Sequence, residues 1–177
     1  MKHRHVVILR RIAQFIIGLA AGTLLWTWLA EPYDGALAWA TQPLVRIDAR
    51  LRDADLVARG DRIDVVSDRG TFPPVNIPAT QLTFNVILLV ALFASNRRPF
   101  SDRNLRAFLV SLVIVAVLHV PGLFISIEST YASRLGEWSD AHYGSAAASA
   151  WLMGELFWRL AGMFGVAFGC WWVTREG

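Results

Sequence analysis

The sequence predicts an all-α membrane protein: a bundle of four transmembrane helices with an outer amphipathic helix and a short β-hairpin-like loop. Three observations predict it. Of 177 residues, 55% are hydrophobic and only 18% charged. Four apolar runs, near residues 12–30, 79–95, 107–127 and 150–173, approach the ~20 residues needed to cross hydrocarbon. The charges collect between them, as arginine-rich short segments at 1–11 and 96–106 and as longer stretches at 31–78 and 128–149. One integral membrane domain accounts for the whole chain, with no internal repeat and no second soluble unit.

Residues 1–11 carry Lys2, Arg4, Arg10 and Arg11 and no acid, and the first span follows them. A cleaved signal peptide is the competing reading, with Ala38-Trp39-Ala40 as an A-x-A site. The apolar region is longer than a signal-peptide core, and Glu31, Pro32 and Asp34 intervene, so an uncleaved helix is expected. Trp26 and Trp28 near its end suit an aromatic belt.

The stretch 31–79 is polar, with eight acids against six arginines. Within it, Leu44, Ile47, Leu51 and Ala54 recur at helical spacing. Asp48–Arg52 and Asp55–Arg59 place an acid four residues before a base, so an amphipathic helix at the membrane surface is expected over 44–59. Residues 62–67 alternate as a strand does, and Asp68-Arg69-Gly70 offers turn residues. Pro73, Pro74 and Pro78 predict a short, edge-like return strand.

Residues 96–106 hold Arg97, Arg98, Arg103 and Arg106 against Asp102 alone, whereas 128–149 holds Glu128, Glu137 and Asp140 against Arg134. By the positive-inside rule the basic segments face the cytoplasm and the two longer loops face outward, with both termini inside. All but one of the 17 basic residues are arginine. That bias, with abundant alanine, suggests a GC-rich bacterial source, and hence a bacterial inner membrane.

The fourth span carries two charges in an apolar run. On a wheel of about 100° per residue, Gly154, Trp158, Ala161, Gly162, Gly165 and Gly169 share one side, and Glu155 and Arg159 extend that arc. Gly165-Val-Ala-Phe-Gly169 is a GxxxG, so Ala161, Gly162, Gly165 and Gly169 predict a helix-packing face. At a rise of about 1.5 Å per residue, Glu155, Arg159, His119 and Asn85 fall in one layer roughly 7–14 Å below the outer edge. Ionisable residues in a span seek partners in the bundle interior, so a Glu155–Arg159 pair with His119 in reach is expected. Two readings stand for this cluster: an ion pair that sets helix register, or a site in which Arg159 holds an anion beside His119 or Glu155 as acid or base.

Motifs for catalysis are otherwise missing. No GxSxG, HExxH, Walker loop or GxGxxG occurs, and the spans hold no paired aspartates. Ser126, Ser129, Asp140 and His142 make a weak hydrolase signal. Cys170 is the only cysteine, so no intrachain disulfide and no thiolate zinc site can form. No catalytic residue, cofactor or metal is assigned. Nucleic acid is not expected, since the basic residues flank helices where topology accounts for them.

Leu25-Trp26-Thr27-Trp28-Leu29-Ala30-Glu31-Pro32-Tyr33 closes the first helix, and residues 77–85 run Ile-Pro-Ala-Thr-Gln-Leu-Thr-Phe-Asn. An apolar run, arginines and a helix with Leu118-His119-Val120 follow. This pattern resembles the small membrane proteins associated with exosortases, particularly the exosortase H-associated type. The resemblance implies a partner of a sorting system, in which a membrane transpeptidase-like enzyme processes proteins bearing a C-terminal sorting helix. Exosortases resemble cysteine enzymes with basic partners near the outer face. Here Cys170 falls at the opposite end of its span from that face, with no activating neighbour.

The expected function is therefore a non-catalytic accessory or scaffold subunit of a sorting or envelope assembly, packing through its fourth helix. Its expected partners are membrane lipid and an exosortase-like membrane protein or a second copy. The alternative is a small membrane enzyme or a lipid- or peptide-binding protein that uses His119, Glu155 and Arg159.

Overall fold

The computed structural model describes the backbone of residues 2–176 and the side chains of residues 8–174. Three helices are long and apolar enough to cross a membrane: Ile8–Val45, Asp102–Ser133 and Ser145–Thr174. They surround a shorter apolar helix and stand beneath a small β-sheet.

Helix α1 spans Lys2–Val45. The sequence suggested a span ending near residue 30, because Glu31 and Pro32 normally stop a helix. The helix instead runs through both Pro32 and Pro43. Along the extension Leu37, Ala38 and Val45 are buried in the core beneath the sheet, while Trp39 stays exposed. That burial outweighs the backbone hydrogen bond each proline removes.

The expected amphipathic helix over 44–59 does not form. The chain leaves α1, makes a single 3₁₀ turn at Ala49–Leu51 capped by Asp48, and enters strand β1, Ala54–Arg59. Neither predicted acid-base pair exists. Asp48 binds Arg50, and Asp55 binds Arg46. Arg59 meets Asp64 on the neighbouring strand. Residues 54–59 also satisfy a period of two, with Ala54 and Leu56 buried, and that period wins because a sheet partner is present.

Strand β2, Arg62–Ser67, follows a turn in which Gly60 has φ +63°. Strand β3, Val75–Pro78, completes an antiparallel sheet of order β1-β2-β3, with Val57 opposite Asp64 and Ile63 opposite Ile77. The molecule is thus not all-α: the predicted hairpin is two of three strands. The Asp61 carbonyl accepts from the Ala79 amide at 3.0 Å and ties the sheet to the start of α2.

Helix α2, Ala79–Ala94, is buried along most of its length. Its 16 residues reach about 24 Å, short of the ~30 Å of hydrocarbon. Helices α1, α3 and α6 all pack on it. The seam with α1 is a GxxxG: a Cβ on Gly18 falls 2.6 Å from the Ala94 Cβ, and one on Gly22 falls 3.2 Å from the Val90 Cβ. Only glycine allows this approach.

Helix α3, Asp102–Ser133, begins at Ser101, whose hydroxyl accepts from the Asn104 amide. A short α4, Glu137–His142, precedes α5, Ser145–Phe157, which passes through a π turn at Trp158–Gly162 into α6, Met163–Glu176. The π turn shifts the helix face by one residue. Ahead of it Glu155 is buried; beyond it Met163 and Ala167 are buried, not Gly162, Gly165 and Gly169. A straight wheel turns Met163 away from the small-residue row, and the inserted residue brings it into the core.

Candidate functional site

Helix α3 carries the polar residues on one stripe. Ser111, His119, Ser126 and Ser129 are buried and follow steps of three and four along the helix. The stripe faces α2 and α5, and it feeds two separate clusters.

In the first, three helices meet on His119. The Tyr33 hydroxyl lies 2.5 Å from Nδ1, and Nε2 lies 2.7 Å from the Asn85 Oδ1. An amide oxygen only accepts, so Nε2 carries the proton and donates, and Nδ1 accepts from tyrosine. His119 is completely buried and Asn85 is 2% exposed. The Trp26 ring packs edge-on against Tyr33 at 5.1 Å. Both imidazole nitrogens are therefore engaged within the bundle. Beside this cluster Asp34 is buried with no hydrogen-bond partner for either carboxylate oxygen among the described residues.

The second cluster is built on Glu155. One carboxylate oxygen accepts from the Ser129 hydroxyl at 2.7 Å and from Arg134 at 2.6 Å; the other pairs with Arg159 at 2.6 Å. Arg159 also donates to the Gln81 side chain at 2.8 Å, which links the π turn to α2. Glu155 is 1% exposed, and two hydrogen-bond donors together with the Arg159 charge offset the cost of burying it. Trp158 lies over Gly122 and Gly162: a Cβ at Gly162 falls 2.6 Å from its ring, and one at Gly122 collides with it too. The π turn thus sets Trp158 and Arg159 against α3 and α2 together.

A third group closes the end that carries the sheet. Arg50 sits 3.6 Å from the centre of the Tyr143 ring, holds Asp48 and approaches Glu128 to 4.0 Å. The Tyr143 hydroxyl donates to Glu128 at 2.9 Å. Burial, and then the neighbouring Glu128 carboxylate, push the Tyr143 hydroxyl pKa up. Burial also pushes the Asp48 carboxyl up, but hydrogen bonds and charge from Arg50 outweigh it and leave it below the ordinary carboxylate value.

The structure brings Glu155 to Arg159 and Asn85 to His119, as two clusters. Tyr33 and Asn85 take both nitrogens of His119; Ser129, Arg134 and Arg159 take Glu155. Sequence reasoning missed Tyr33, Gln81, Ser129, Arg134, Arg50 and Tyr143. The stripe through His119, Ser126 and Ser129 was a usable signal for Ser129; the others come from distant chain segments. Of the predicted packing row, Gly162 packs on Trp158, whereas nothing lies within 4 Å of a Cβ built on Gly165 or Gly169. Cys170 is half-buried at the end of α6 remote from the sheet. No group of three or more metal-ligating side chains exists among the described residues.

No protein-family model, no curated protein and no solved structure matches this chain.

Proposed function

We propose that the chain is a non-catalytic accessory or scaffold subunit of an inner-membrane assembly, of the protein-sorting type associated with exosortases, and that it docks through α6. The observation that carries this reading is the uncovered row of Ala161, Gly165 and Gly169, all exposed on one side of the helix, with open space at both glycines. In lipid, close approach over small residues takes the place of the hydrophobic drive. His119 and Glu155 support the same reading, because neighbouring side chains of the bundle occupy them. The resemblance at residues 25–33, 77–85 and 118–120 supplies the sorting assignment.

In this reading α2 is a fourth span. It is shorter than the hydrocarbon, but its flanking arginines reach the interface and the bilayer thins locally. The basic 96–106 segment and both termini then lie in the cytoplasm. A reporter inserted after Arg103 is active only in the cytoplasm; activity on the other side overturns the topology.

Affinity purification in mild detergent tests the docking. Gly165→Leu and Gly169→Leu together release a co-purifying membrane protein, or a second copy, and leave the melting temperature unchanged. Retention of every partner by that double variant overturns the proposal. The competing reading, a small membrane enzyme or lipid- or peptide-binding protein using His119, Glu155 and Arg159, is favoured by one observation: Arg134, beside Glu155, is 47% exposed. It gains if Arg134→Gln abolishes a cellular phenotype with the complex intact.

A further inference from the structure

We propose that the end of the bundle away from the sheet binds an anionic phospholipid, with its phosphate in an arginine-lined cavity and an acyl chain in the groove between α1 and α3. The site is independent of the α6 docking row.

The cavity encloses about 450 Å³. Arg11 of α1, Arg97 and Arg98 of the α2–α3 loop and Arg103 of α3 line it, and no acidic residue does. None of these four side chains has an ion pair or hydrogen bond among the described residues. At the other end of the molecule Arg46, Arg50, Arg59, Arg62, Arg134 and Arg159 each meet a carboxylate, and among the described residues there only Arg52 and Arg69 do not. Four uncompensated guanidinium groups converging from separate elements call for an anion, and their planar forks match phosphate oxygens.

The cavity wall is held in place. Trp171 donates to Asn96 at 3.0 Å, Asn96 donates to Asn104 at 2.5 Å, and Asn104 donates to the Pro99 carbonyl at 2.7 Å. The loop bearing Arg97 and Arg98 is thus fixed to both α3 and α6 before any ligand arrives.

What makes the ligand a lipid is the surface leading away from the arginines. A second cavity, of about 270 Å³, shares Asn104 with the first and is walled by Ile17, Phe93 and Phe108. A third, of about 550 Å³, shares Val90 and Phe108 with the second and reaches Trp26 and Tyr33. Together they form one apolar groove, floored by α2 and walled by α1 and α3. From Ile17 to Tyr33 the groove follows α1 for about 24 Å, more than the ~15 Å of one hydrocarbon leaflet. Phosphate at one end and an apolar channel running from it describe a phospholipid. Basic pockets between membrane helices bind such head groups.

The test uses the full chain in mild detergent, with lipid retention counted by native mass spectrometry. Phosphatidylglycerol and phosphatidylcholine of identical acyl chains are compared, with inorganic phosphate as a third arm. Phosphatidylglycerol is retained at least tenfold over phosphatidylcholine. R97Q/R98Q abolishes that preference, and Val113→Trp, at an exposed position on the α3 wall of the third cavity, fills the groove and lowers retention of both lipids. Each variant is required to keep the wild-type melting temperature in phosphatidylcholine; where the glutamine pair fails this, R97K/R98K replaces it and weakens the preference partially. Equal retention of the two lipids overturns the proposal, as does a preference that survives the arginine variants. Inorganic phosphate that displaces phosphatidylglycerol at equal concentration overturns the lipid assignment and leaves a phosphate site. A co-purifying protein that R97Q/R98Q releases, with no lipid preference, gives the groove to a partner helix and also overturns it.

Discussion

The Tyr33 hydroxyl meets Nδ1 of His119 across 86 residues of chain, at 2.5 Å, and so joins α1 to α3 at the depth where Asn85 of α2 holds the other ring nitrogen. Three helices are registered by one imidazole. Removing the ring leaves the tyrosine hydroxyl and the asparagine amide buried without their partner.

His119→Ala is therefore expected to cost about 2–4 kcal/mol, combining a cavity with unsatisfied polar groups. Tyr33→Phe deletes one hydrogen bond and costs about 1 kcal/mol. Thermal unfolding in detergent, followed by size-exclusion recovery, ranks the two variants. Equal effects would show that the ring does not act as the junction.

The Glu155 cluster makes an ordered set. Glu155→Ala leaves Arg159 without its carboxylate at a partly buried position, and loss of about 3–5 kcal/mol is expected. Arg134 is 47% exposed, so Arg134→Ala costs about 1 kcal/mol or less. Replacing Glu155 and Arg159 together by Met recovers much of the single-variant loss, as apolar replacement of buried pairs can. A double variant less stable than Glu155→Ala contradicts this account.

The two GxxxG rows separate stability from association. At Gly18 the Ala94 Cβ and Ala91 Cα leave no room for a side chain, so Gly18→Leu forces α1 from α2 and costs about 1–3 kcal/mol or more. Gly165→Leu meets open space and leaves the monomer's stability within about 0.5 kcal/mol of wild type. Melting curves of the two purified variants check the contrast.

Acid loosens the cap at the sheet end. Burial raises the Asp48 carboxyl pKa, but hydrogen bonds and charge from Arg50 prevail, so its folded value lies below its unfolded one. Asp53 is likewise lowered, first by the Ser67 hydroxyl. A depressed folded-state pKa contributes stability that is present above the unfolded value, about 3.9, and lost as pH falls through the folded one. Limited proteolysis between residues 46 and 72 is expected to accelerate below about pH 4, and Asp48→Asn to flatten that dependence. Cleavage that is insensitive to pH in wild type sinks the prediction.

What the sequence determined by itself is local and periodic. Long apolar runs had to become helices, because backbone polar groups in hydrocarbon find partners only within the segment. The strand over residues 62–67 followed from alternation, and the Glu155–Arg159 contact from i,i+4 spacing. Tertiary structure decided whatever depended on a distant partner. Residues 54–59 fit a period of 3.6 almost as well as a period of two, and the presence of β2 chose the strand. Pro32 ends a helix in isolation, but burial of Leu37, Ala38 and Val45 beneath the sheet carries α1 past it. On the last helix one π turn inserts a residue and turns Met163 and Ala167 inward, which a straight wheel does not show. Charges and glycines can be counted along a chain, but whether a helix covers them depends on faces that only packing orients.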